Sequence, residues 1–160
     1  VSLISVHSIL SCCKNTLDFD YLVDLSGVDN MGSEPRYEIV YELYSYLHGC
    51  HLRVKTDVDE AERETHSVVD LWPTANWHER EAYDMIGVTF KGHPDMRRIL
   101  MWEGYPFFPL RKDFPLAGKP SQMPDVAFSE TVALAGGPFV TSPSSASTDK
   151  REPRSRESIS

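Results

Sequence analysis

Residues 76–87 read NWHEREAYDMIG, and five of these twelve side chains can carry charge near neutral pH: His78, Glu79, Arg80, Glu81 and Asp84. Three chemistries suit such a cluster: metal-assisted hydrolysis, acid–base catalysis, or charged docking. A zinc hydrolase of the HExxH type needs two histidines one helical turn apart, so that both face the same metal. Here His78-Glu79 is followed by Ala82 where the second histidine would stand. Acid–base work needs two carboxyls sharing a cleft. Glu79 and Glu81 lie two apart, so on a helix they point to different sides. No nucleophile elbow, P-loop or dinucleotide fingerprint occurs, nor any familiar spacing for a flavin, haem or iron–sulphur cluster. His48, Cys50 and His51 have no fourth ligand at a zinc spacing. His93, in a Gly-His-Pro-Asp turn, reads as a turn residue bonding a neighbouring backbone group. No catalytic, cofactor-binding or metal residue is therefore expected, and the cluster reads as a docking element.

The surrounding elements explain what must hold that cluster in place. Asn76 reads as a helix N-cap with Glu79 three residues later, the spacing of a capping box. Gly87 reads as the helix stop. At ~100° per residue, Ala82, Tyr83 and Ile86 share one face with Glu79 projecting into it. Trp77, Arg80, Glu81 and Asp84 fall opposite, with Arg80 and Asp84 spaced to pair. Glu79 then either caps the helix or is buried and needs a cation. Upstream, residues 1–13 carry apolar side chains at Leu3, Ile4, Val6, Ile9, Leu10 and Cys13, a helical spacing. Three stretches show strand patterning. The first puts Phe19, Tyr21, Val23 and Leu25 on one side. The second puts Tyr37, Ile39, Tyr41, Leu43 and Ser45 on one side. The third alternates Leu52, Val54 and Thr56 with charged residues. Short links predict an antiparallel meander with a helix over one face. The charge run 59–66 reads as a solvated helix or loop, Ser67 to Trp72 as a short helix or strand ended by Pro73, and residues 88–90 as a short strand.

Downstream, residues 104–116 (GYPFFPLRKDFPL) pack three prolines and four aromatics into thirteen positions. That rules out a regular helix and predicts an extended strap lying on a surface. The expected fold class is α+β: a small, mostly antiparallel sheet covered by helices over 1–90, a basic and aromatic strap over 91–118, and a Ser/Pro-rich, disordered tail over 119–160. Residues 1–90 hold 16 acids against 6 Lys/Arg, whereas 91–113 hold 5 Lys/Arg against 3 acids. A basic segment after an acidic domain folds back on it or meets an acidic partner. The net charge of −8 disfavours nonspecific nucleic-acid binding. No apolar run approaches the ~18 residues of a membrane span. Residues 1–13 lack the basic start of a signal peptide, and three cysteines without a CxxC pair suit a reducing compartment.

Taken together these residues resemble a family signature. Glu79-Arg80-Glu81, Asp84-Met85-Ile86, His93, Arg97 and Ile99-Leu100 keep the spacing of the C subunit, or 30 kDa subunit family, of respiratory complex I. Asp70-Leu71-Trp72-Pro73 with Ala75-Asn76-Trp77, the segment Pro109 to Leu116, and Phe19 to Asp29 resemble the flanking parts, so the likeness covers about residues 1–118. The resemblance implies a structural subunit of the peripheral arm of proton-pumping NADH–quinone oxidoreductase, packed on the quinone-site (D) subunit. It implies that this chain binds no cofactor of its own, while the complex uses FMN, iron–sulphur clusters, NADH and quinone. The implied location is the cytoplasmic face of a bacterial inner membrane, or the matrix side of a mitochondrial one. Glu79, Arg80, Glu81, Asp84, His93, Asp95, Arg97, Arg98, Arg111, Lys112 and Asp113 are the residues expected to serve fold and docking. Family members begin with a further strand and helix region, whereas this chain starts inside what reads as the first helix, so either residues are missing ahead of Val1 or the gene model is short. The alternative is the homologous subunit of a membrane-bound hydrogenase or related dehydrogenase. A free-standing hydrolase using His78, Glu79 or His93 would instead be active as the isolated chain.

Overall fold

Alternation over residues 37–45 builds the centre of the molecule. In the computed structural model, which describes residues 3–119, strand β2 (Tyr37–Ser45) buries every second side chain and half-covers the others. It is flanked by β1 (Tyr21–Asp29) and β3 (Cys50–Val58), both antiparallel to it, in the order β1-β2-β3. The pairing sets inward rows such as Leu22–Leu43–Leu52 and Gly27–Ile39–Thr56. Outward rows carry the cross-strand ion pairs Glu42–Arg53 and Glu38–Lys55, so one face is wet and one is dry, as an antiparallel sheet allows. Ile39 and Leu43 lose all solvent contact, each contributing about 1.5–3 kcal/mol.

β1 departs from its expected phase. Leu22 and Leu25 point inward, while Tyr21 and Val23 are exposed. The β1–β2 register shifts between Leu22 and Asp24. Val23 is therefore the extra residue of a β-bulge, and it turns the strict alternation by one position. Helix α1 (Leu3–Asn15) buries Val6, Leu10 and Cys13 at helical spacing, and Ile9, expected inside, is exposed.

The charge run 59–66 is neither a helix nor wholly a loop. Glu64–His66 form β4, which pairs in parallel with β5 (Thr89–Lys91). Thr65 is buried between charged neighbours, because a strand fully embedded at one position needs only one uncharged residue there. Ser67 to Trp72 is likewise not a helix or strand but a turn, closed by the Leu71 and Trp72 N–H groups on the Val68 carbonyl at 3.0 and 2.9 Å. Trp72 is buried and its indole N–H reaches the Asp20 carbonyl at 3.2 Å. Helix α2 (Ala75–Ile86) packs against β1. The predicted tail lies, from residue 120 onward, outside the described residues.

Candidate docking site

Helix α2 begins two residues earlier than its sequence suggests. Thr74 occupies the N-cap and makes no side-chain cap bond. Asn76 and Glu79 therefore do not form the expected capping box. Instead Glu79 is fully buried, and one carboxyl oxygen accepts the Val68 N–H at 2.7 Å. No cation pairs with it among the described residues. Burial pushes its pKa up to about 7, against the pull of the Val68 N–H and the Ser67 hydroxyl. The other oxygen, Oε2, has no partner, nor do the buried Tyr41 and Thr65 hydroxyl oxygens. At the helix C-terminus Gly87 takes the left-handed conformation (φ 85°) and returns its N–H to the Ala82 and Tyr83 carbonyls, as its position predicts.

Asp84 overturns the wheel reading more sharply. It does not sit on the wet face and does not pair with Arg80. It is fully buried, with Arg98 Nη1 at 2.6 Å from its Oδ1. Its Oδ2 accepts three consecutive backbone N–H groups, those of Ile99, Leu100 and Met101, at 3.0, 2.7 and 2.8 Å. Burial alone would raise its pKa. The N–H groups of Met101 and Leu100, the Arg98 guanidinium and the Ile99 N–H outweigh that and hold it below the ordinary carboxylate value. A wheel treats everything off the apolar face as solvent, but here the strap covers that face.

The basic segment folds back on the helix, and two of its arginines, Arg98 and Arg111, bond it directly. Arg98 also donates to the Phe107 carbonyl at 3.2 Å and lies over the Tyr105 and Phe108 rings. Arg80 donates to the carbonyls of Arg97 and Arg98 at 3.1 and 3.2 Å and stacks on Trp77. His93 Nε2 lies 3.2 Å from the Asn76 carbonyl, while its Nδ1 takes the Asp95 N–H at 2.9 Å. A carbonyl only accepts, so the proton sits on Nε2. That is the backbone-bonding turn role expected of it. Asp95 and Arg97 pair with each other at the surface.

Further along, Arg111 Nε donates to the Ile86 carbonyl at 2.6 Å, with its guanidinium over Phe108 and Tyr37. Burial lowers its pKa, though Tyr37 partly opposes this. The Leu110 N–H reaches the Met85 carbonyl at 3.0 Å. Gly87 makes the crossing possible: a Cβ there would overlap Arg111 Nη2 and come within 2.8 Å of Phe108. Lys112 contributes its backbone N–H, which donates to Asp29 at 2.8 Å, and Asp113 accepts from Arg36 at 3.1 Å.

That last contact exposes two functional residues that sequence reasoning misses as site members. Asp29, buried at the end of β1, is held by Arg36 through two bonds at 2.8 and 2.9 Å. The hydrogen bond from Arg36 is the main reason its pKa is lowered. A signal existed: Asp29 lies four residues beyond the inward-facing Leu25, and an acid on an inward face needs a cation. Glu81 is the exception among the expected residues. It is exposed, bonds no group of the strap and lines a groove beside β1. Trp77 and Leu100 are also exposed on the helix and strap. Elsewhere His48 faces Asp18, His51 stacks on Tyr44, and His78 faces Asp24 at 3.2 Å. No three ligating side chains converge among the described residues.

Sequence and structure comparisons place the chain among known proteins. The sequence model of the family described as respiratory-chain NADH dehydrogenase, 30 Kd subunit, matches residues 2–120. The chain is 53% identical over 102 residues to the C 2 subunit of NADH-quinone oxidoreductase from Rhizobium meliloti (strain 1021), covering 64% of this chain and 56% of that one. It is 44% identical over 115 residues to the C subunit of NADH-quinone oxidoreductase from Geotalea uraniireducens (strain Rf4), covering 70% of each. It thus spans little more than half the length of the Rhizobium relatives. Among solved structures it resembles a trypsin-resistant fragment of Nqo5, with TM-score 0.56 and 33% identity over 59% of this chain and 78% of that one. It also resembles a chain of an archaeal membrane-bound sulfane sulfur reductase, with TM-score 0.62 and 28% identity over 71% and 68%. The chain belongs to the 30 kDa subunit family of respiratory-chain NADH dehydrogenase.

Proposed function

We propose that this chain is the 30 kDa (C) subunit of an NADH–quinone oxidoreductase, a structural component of the peripheral arm that docks on the quinone-site (D) subunit. It supports electron transfer from NADH to quinone, and the proton translocation coupled to it, by assembly rather than by chemistry of its own. FMN, the iron–sulphur clusters, NADH and quinone belong to other parts of the complex. The chain is peripheral to the membrane, on the cytoplasmic face in a bacterium or the matrix side in a mitochondrion. No helix among the described residues is long and apolar enough to cross a bilayer.

One observation carries this reading. Charged side chains of the helix and of β1 are consumed in holding the strap: Asp84 by Arg98 and three backbone N–H groups, Asp29 by Arg36 and Lys112, and Arg80 by two carbonyls. A general acid, base or nucleophile must instead keep a free hydrogen-bonding atom within a substrate's reach, and the free Oε2 of Glu79 is fully buried. The tied strap presents Trp77 and Leu100 to solvent, and a large aromatic beside an arginine is the residue pair that dominates protein interfaces.

Arg80→Ala tests the reading, because it frees the strap carbonyls and unseats Trp77 while leaving the buried core intact. The expected outcome is loss of co-purification with the quinone-site subunit from a chain that still folds. Unchanged co-purification would defeat docking through this surface. The sulfane sulfur reductase likeness supports a second reading, the homologous subunit of a related membrane-bound complex. Identifying the proteins that travel with the chain separates the two.

A further inference from the structure

The two edges of the three-stranded sheet are guarded differently. β3 carries exposed Arg53, Lys55 and Asp57 along its edge, and charged side chains are a usual defence against pairing with another chain. β1 (YLVDLSGVD) has no lysine, arginine or proline. After the bulge at Val23 its register runs regularly from Asp24 to Asp29. Among the described residues, no backbone hydrogen bond outside the β1–β2 ladder involves residues 22–28.

A groove of about 280 Å³ opens beside that edge, between Asp24–Gly27 and helix α2. Ala82, Met85 and Ile86 supply apolar lining, and Leu110 of the strap adds to it. Gly27 lets the helix approach: a Cβ there would stand 3.1 Å from Ile86 Cδ1. Asp24 and Glu81 also line the groove. Asp24 faces His78 and takes the Ser26 hydroxyl, whereas Glu81 has no ionic or hydrogen-bonding partner among the described residues.

We propose that the β1 edge accepts an extended segment of a partner protein, paired backbone to backbone along Asp24–Asp29. Its apolar side chains lie over Ala82, Met85 and Leu110, and one lysine or arginine meets Glu81 and Asp24. Three features of the groove select this occupant. An open strand edge offers main-chain bonds, an apolar floor takes side chains pointing one way, and two carboxylates favour a cation. The net charge of −10 over residues 1–90 strengthens that preference. The proposal rests on the docking reading above and names its mode, with the quinone-site subunit as the partner.

The test combines amide hydrogen exchange with one substitution, using the full chain and the co-expressed quinone-site subunit. The outward N–H groups of residues 24–28 should exchange fast in the free chain and slowly in the complex. Glu81→Arg, at an exposed position, should leave the fold intact and weaken the complex at least tenfold, with Glu81→Gln weakening it less. A complex that forms with residues 24–28 still exchanging fast overturns this inference and leaves the docking reading standing. Failure of the unaltered chain to form a complex overturns both. Slow exchange already present in the free chain shows the edge filled by this chain itself, and protection that grows with its concentration shows a second copy there. Either result overturns the proposal.

Discussion

Glu79 and Asp84 stand five residues apart on one helix, and neither touches solvent. Their surroundings drive them in opposite directions. Asp84 meets an arginine and three backbone N–H groups supplied by the strap, and it stays ionised. Glu79 meets one backbone N–H, a serine hydroxyl and no cation, and burial raises its pKa to about 7. The lesson is that burial alone does not set a carboxyl's charge; the count and sign of its partners do. Asp84 fastens a segment to the helix. Glu79 joins α2 to the turn at Val68, beside two further unpartnered hydroxyls, Tyr41 and Thr65.

The largest break in this comparison should come from Asp84→Ala. It strands the buried Arg98 charge and three N–H groups, at a cost of about 3–5 kcal/mol. Urea denaturation reads the loss, and a change under ~1 kcal/mol, the size of an exposed pair, would mean that Asp84 does not anchor the strap.

Next in size is the pH dependence of Glu79. Its folded pKa, about 7, lies above the ordinary 4.5. The folded state therefore holds a proton that the unfolded state releases, and stability falls as pH rises from 4.5 through 7. The full span is on the order of 3 kcal/mol. Asp84 acts the other way: its stabilisation is present above its ordinary value of 3.8 and is lost as pH falls. Glu79→Gln removes the first slope only. The substituted chain should gain on the original between about pH 5 and pH 8, measured by urea denaturation at each pH. Parallel curves would show that Glu79 is ionised in both states.

Gly87→Ala follows. The left-handed backbone costs about 1–2 kcal/mol for a residue with a Cβ, and Phe108 and Arg111 must also move. Limited proteolysis should cut the strap faster in this variant, and equal rates would show that the strap does not depend on that close approach. At the small end, Arg97→Ala should leave the melting temperature unchanged, because Arg97 and Asp95 pair in the open.

What could be read from sequence follows the same division between local and distant causes. β2 was legible because Tyr37 to Ser45 alternate without interruption, and Gly87 because a helix stop is a local event. The phase of β1 was not, since the bulge at Val23 shows only in its pairing with β2. β4 was hidden because its partner, Thr89–Lys91, lies far along the chain, and parallel pairing leaves no hairpin signal. The signature positions were legible as a group, but not their roles. Asp84 read as a surface residue because the groups that bury it, residues 98–101, come from a segment with no regular periodicity. Asp29 carried a signal in the inward alternation of β1, but its partner Arg36 sits outside any strand, in the β1–β2 connection.

The central claim is that this chain works by assembly. Native-gel mass spectrometry of the source membranes tests it most directly. The account predicts this chain in one assembly with the quinone-site subunit and the flavin and iron–sulphur proteins of an NADH–quinone oxidoreductase. Finding it only as a free chain, apart from any such assembly, would contradict the account.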